Sequence, residues 1–118
     1  SVMHHNGKLY QTYSGSATDE RYAMGLLVAD ENADLLDPAS WKKSPTPVMV
    51  TEPMNNLYGP GHNSFTKDEA GNDVLVFHAR PYPGFKGGAL SDPNRHAFLR
   101  WLEYDENDEP VFQDVKGI

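Results

Sequence analysis

Two stretches decide the reading of this chain: "YAMGLLVAD", residues 22–30, and "AFLRWLEYD", residues 97–105. Both are apolar runs that end in aspartate. Each leads through an acidic segment to a Pro-Val pair, Pro47-Val48-Met49 in the first case and Pro110-Val111-Phe112 in the second. Before the first run lies "KLYQTYS" (8–14), with Leu9, Gln11 and Tyr13 alternating against Tyr10 and Thr12, the period of a strand. Ser1 to His5 reads as extended, and Asn6-Gly7 is a hairpin signal. The second half repeats the order: extended Ser64-Phe65-Thr66, a turn at 68–72, the strand "DVLVFHA" (73–79), a long loop from Arg80 to Asn94, and then the second run. The expected edge strands lie at Pro47 to Val50 and at 110–112.

The fold class predicted is therefore all-β, with two four-stranded antiparallel meanders divided at residues 1–56 and 57–118. Meanders of about 50 residues in tandem are the pattern of propeller blades. An eight-stranded sandwich also satisfies the strand count.

Composition narrows the function classes. The 118 residues carry 10 basic and 17 acidic side chains, a net charge of −7. With no basic stripe, the chain is unsuited to a phosphate backbone, so no nucleic-acid partner is expected. No apolar run approaches the roughly 20 residues of a membrane span, so no membrane partner is expected either. Cysteine is absent, which excludes disulfides and thiolate metal sites. The N-terminus carries no secretory apolar region, which favours a cytoplasmic location, with secretion the alternative if a signal peptide precedes Ser1. Ser1-Val2-Met3 opens in mid-element, so the chain is expected to be a fragment or a processed piece.

The most constrained backbone is "YGPGHNSF", residues 58–65. Gly59, Pro60 and Gly61 fix the chain before His62, where an inner strand is expected to begin, and small residues there permit close approach to an axis. In an up-and-down meander the start of strand one, the end of strand two and the start of strand three share one end. His62, Arg80 and Arg95 therefore share a rim, and Ser14, Gly15 and Ser16 hold the equivalent place in the first unit. Two guanidinium groups and an imidazole make a polar site suited to hydrogen bonding. The plainer alternative is that both arginines pair with some of the many carboxylates. The acidic pairs (Asp19-Glu20, Asp30-Glu31, Asp68-Glu69, Asp105-Glu106, Asp108-Glu109) sit in turns and read as solvated charges. The five histidines lack compact metal spacing, and there is no nucleophile elbow, phosphate loop or nucleotide fingerprint.

Taken together, "YAMGLL", "DLLDPASW", "GPGHNSF" and "FHAR" resemble glycoside hydrolase family 43, and in particular its bacterial α-L-arabinofuranosidases; the resemblance covers essentially all 118 residues. It implies a five-bladed β-propeller whose last two blades are this chain. It implies inverting release of arabinose or xylose from plant saccharides, by a general acid and a base acting across the sugar ring. The family's catalytic carboxylates fall before Ser1, so no catalytic residue is assigned here. His62 matches the histidine that binds a central Ca²⁺ whose remaining ligands are mostly water. Arg95 matches the sugar-contacting arginine, with Arg80 and His78 as second candidates. A non-catalytic reading stands beside this one: a carbohydrate-binding or self-assembling module whose open blade edges pair with another copy or a partner chain.

Overall fold

The computed structural model describes residues 1–83 and 92–113. The expected loop from Arg80 to Asn94 and the tail 114–118 of the second unit lie partly or wholly outside those residues. The strands are β1 (Val2–His5), β2 (Lys8–Gly15), β3 (Ala23–Asp30), β4 (Lys42–Lys43), β5 (Tyr58–Lys67), β6 (Asp73–Arg80), β7 (His96–Trp101), β8 (Glu103–Tyr104) and β9 (Pro110–Val111). The first four form one antiparallel sheet in chain order, β5-β6-β7 form a second, and β8 pairs with β9.

The meander order is as expected, but three details are corrected. The first edge strand lies at Lys42–Lys43, opposite Val28 and Leu27, not at Pro47 to Val50. Pro45 and Pro47 have no N–H to give a ladder, so pairing lapses there and resumes only as a single bridge, Met24 to Met49. The Pro-Val pairs are thus not equivalent, since Pro110 and Val111 hold the ladder place that Lys42 and Lys43 hold in the first sheet. Secondly, "HAFLRWLEYD" is not one strand: Leu102, buried between β7 and β8, interrupts it, though its N–H still reaches Asp73 O at 3.0 Å. The second unit is consequently a three-stranded sheet with a two-stranded extension. Thirdly, "YGPGHNSF" lies inside a ten-residue strand instead of preceding one.

The core lies between the sheets. Met3, Tyr10, Met24, Leu26 and Met49 meet Leu57, Leu75, Phe77, Ala79, Leu102 and Phe112, and each fully buried side chain of this size is worth about 1.5–3 kcal/mol. Alternation places Leu75, Phe77 and Ala79 inward, yet the outward face is apolar too. Val74 pairs with Trp101 and Val76 with Leu99, and these two β7 side chains are 58% and 63% exposed. On the far face of the first sheet Tyr13 lies over Gly25, so close that a Cβ there would fall 2.3 Å from the ring. A sandwich sheet faces one core and presents polar residues outward. Sheets apolar on both faces suit stacked blades better than a two-sheet sandwich.

Hydrogen bonds tie the sheets as well as packing. The Gln113 side chain both donates to Val50 O (2.7 Å) and accepts from Val50 N (3.0 Å), imitating a backbone pair. Glu52, almost wholly buried, accepts from Arg100 at 2.8 Å, and Arg100 also reaches Phe112 O.

Candidate functional site

β5 carries two bulges, one between Tyr58 and Gly61 and one between Gly61 and Ser64. Bulges re-aim side chains next to functional sites. Here they require left-handed backbone at Gly59 (φ +64°) and at His62 (φ +47°). Glycine adopts this freely. A residue with a Cβ does so at roughly 1 kcal/mol or more, so the His62 conformation must be held by its surroundings. The first sheet does this: His62 N donates to Ser14 Oγ at 2.8 Å, and Asn63 Nδ2 donates to Thr12 Oγ1.

The result is a column of three rings at one end of the sheets. His78, opposite Gly61 on β6, stands between Tyr22 (centroids 6.1 Å apart, planes within 4°) and His62 (5.6 Å). His62 is exposed and His78 half-buried. Burial, with the nearby positive charge of Arg95 and the His62 and Arg80 side chains, pushes the His78 pKa below its ordinary value, so its ring is neutral at pH 7. His78 Nδ1 is buried and has no hydrogen-bond partner among the described residues. In a neutral ring such a nitrogen donates or accepts according to the tautomer.

Of the rim residues expected from topology, His62, Arg80 and Arg95 all lie near enough to His78 to act on its charge, and Ser14 bonds His62 N. The two arginines differ, however. Arg95 is exposed and, among the described residues, makes no ion pair. Arg80 is buried; its Nε donates to Asp92 Oδ2 at 3.0 Å and its Nη1 to Thr18 O, in the loop between β2 and β3, at 2.8 Å. Tyr82 Oη donates to the Asp92 carboxylate at 2.8 Å, and Asn94 N donates to Asp92 Oδ1 at 3.2 Å. Burial opposes ionisation of Asp92, but those hydrogen bonds and the Arg80 charge hold its carboxyl below the usual range. The plainer reading of the sequence therefore describes Arg80, whose guanidinium is spent on structure. Sequence reasoning missed Tyr22 and Asp92. Tyr22 stood inside the first quoted run and was read only as strand.

His62 does not make a Ca²⁺ site by itself. A hard cation takes six to eight oxygens, and the Ser14 hydroxyl beside His62 is already engaged by His62 N. Among the described residues no three His, Asp or Glu side chains are placed to hold a metal. The carboxylates are equally telling. Asp19 and Asp68 are held down to about 2, Asp19 by Arg21 and Asp68 by Asn72 and Trp101. Asp73 lies low because hydrogen bonds from Lys67 and Tyr104 outweigh its burial. An inverting glycosidase needs one carboxyl moved the other way.

Residues 1–110 match the model of the family described as Glycosyl hydrolases family 43. The chain belongs to glycosyl hydrolase family 43. Among its relatives in this family, the extracellular exo-α-(1→5)-L-arabinofuranosidase of Streptomyces avermitilis is 47% identical over 113 residues, covering 95% of this chain and 24% of that protein. The α-L-arabinofuranosidase B of Pyricularia oryzae is 47% identical over 111 residues, covering 93% and 23%. In three dimensions the family 43 chain superposes on the α-L-arabinofuranosidase of Lactobacillus brevis with a TM-score of 0.91 and 50% identity, covering 95% of this chain and 35% of that one. A thermostable family-43 glycoside hydrolase gives 0.70 at 30% identity. The chain spans about a quarter of the length of the curated relatives it matches.

Proposed function

We propose that this family 43 chain forms one wall of the sugar site of an inverting α-L-arabinofuranosidase, built as a five-bladed propeller of which residues 1–56 and 57–118 are two blades. The observation that carries this is the rim itself: exposed Arg95 beside half-buried His78, at an end set by the bulged His62 strand. The Arg95 guanidinium donates to the hydroxyls of a pentose, and the neutral, half-buried His78 ring forms the surface beside it. Its depressed pKa keeps the ring uncharged at neutral pH, so it does not repel the guanidinium. The acid and base come from elsewhere in the protein, consistent with the low pKa of Asp19, Asp68, Asp73 and Asp92. The substrate class is an arabinose-containing saccharide. The expected cytoplasmic location has no support, since the Streptomyces avermitilis relative is named extracellular; an extracellular site of action is part of this proposal.

Turnover of an aryl α-L-arabinofuranoside tests the reading. The full-length protein is active, the 118-residue chain alone is not, and Arg95→Ala in the full-length protein raises KM about tenfold, the effect of losing a charged hydrogen bond to substrate. Turnover by the purified chain alone, free of contaminating hydrolase, would sink the assignment of the acid and base to other segments. Calorimetry supplies a second check: this chain binds Ca²⁺ with a Kd no tighter than about 1 mM, the range of poorly charged oxygen sites. Micromolar binding would show a cation cage that the described donors do not form.

A further inference from the structure

We infer that Ser14 and Tyr22, both from the first sheet and its loop, are positioning residues that hold His62 in its left-handed conformation and so set the wall of the sugar site. Three contacts converge on the bulged strand. Ser14 Oγ accepts from His62 N at 2.8 Å, fixing the peptide that turns the imidazole outward. The Tyr22 ring packs against Gly61, where a Cβ would fall 2.2 Å from Cε2 and 3.0 Å from Ser14 Oγ. Gly59 meets Tyr22 Cβ (3.4 Å from a Cβ built there) and the carbonyl oxygen of Asp19, which itself accepts from Tyr22 N at 3.0 Å. The same Tyr22 ring closes the far end of the column, with His78 between it and His62.

The strand that carries His62 belongs to the second sheet, but the groups that decide its backbone belong to the first. No described residue hydrogen-bonds the Tyr22 hydroxyl, so the ring face is what matters, and phenylalanine preserves it. Ser14 acts through a single oxygen, which alanine removes without changing the strand.

The inference rests on His62 being part of the sugar site, and a double-mutant cycle in the full-length protein separates the two. Activity is read as kcat and KM on an aryl α-L-arabinofuranoside, with thermal unfolding alongside. Ser14→Ala and Tyr22→Leu each lower kcat/KM about fivefold, the scale of one lost hydrogen bond or packing contact. Tyr22→Phe stays within about twofold of the parent. In a His62→Ala background Ser14→Ala and Tyr22→Leu cost nothing further, because the side chain they place is gone. Equal losses in both backgrounds mean a general structural role and overturn the inference. A normal Ser14→Ala and Tyr22→Leu beside an impaired His62→Ala also overturns it, leaving His62 in the site. An unimpaired His62→Ala removes His62 from the site and the inference with it.

Discussion

Replacing Arg80 by methionine is expected to lower the melting temperature by on the order of 10 °C while leaving KM for an arabinofuranoside nearly unchanged in the protein that remains folded. Methionine keeps much of the stem volume but abandons Asp92, whose carboxylate then stays buried with, among the described residues, Tyr82 and Asn94 to compensate it. Removing one member of a buried pair is costly because the survivor keeps its desolvation without its attraction. The substitution also cuts the bond to Thr18 O, which ties the second sheet to the loop between β2 and β3. Converting Asp92 to leucine in the same protein should recover part of the loss, since no lone charge is left behind. Because the Asp92 pKa is depressed in the folded state, its contribution is full above its unfolded value of about 4 and fades as pH falls through the lower folded value. The gap between Arg80→Met and its parent therefore narrows in acid. Scanning calorimetry at neutral and low pH measures both effects. A large rise in KM with an unchanged melting temperature would instead return Arg80 to the sugar-binding surface.

This outcome for Arg80 marks where sequence stops being informative. The strands were legible because alternation in "KLYQTYS" and the apolar run of "YAMGLLVAD" are local signals, and because the same order occurs twice. The rim was legible because meander topology alone brings the ends of β5, β6 and β7 together. That Arg80 is turned inward depends on Asp92, twelve residues away across a loop, and on a backbone carbonyl in the loop between β2 and β3; neither leaves a mark in composition or spacing. The bulges of β5 were hidden for a similar reason. Gly-Pro-Gly reads as a break, and only pairing with β6 turns it into an irregular strand. Tyr22 was hidden by its own context, since an aromatic residue at the start of an apolar run looks like core. Its role follows from what lies against it, two glycines that its ring and carbonyl neighbour would not let be anything else.

Gly59 makes that last point quantitative. Gly59→Ala is expected to cost about 2–4 kcal/mol, from left-handed backbone strain of roughly 1–2 kcal/mol and a comparable overpacking penalty. The second term arises because a Cβ at Gly59 would sit 2.3 Å from Asp19 O, a backbone atom that cannot swing away as a side chain can. Gly71 is the control. It is also left-handed, at φ +86°, but nothing lies within 4 Å of a Cβ built there, so Gly71→Ala bears the backbone term alone. Urea unfolding of the two variants therefore separates conformational strain from crowding: Gly59→Ala should be the worse by about 1–3 kcal/mol. Equal losses would mean that the loop from Asp19 to Tyr22 gives way freely. In that case the first sheet does not hold the His62 strand, and the hold must come from the pairing of β5 with β6. A larger loss at Gly59, together with a fall in kcat beyond that of Gly71→Ala, ties the stability of the bulge to the chemistry at the rim. The glycine would then be required by the packing of one sheet against its neighbour, and the histidine three residues later would owe its direction to the same contact.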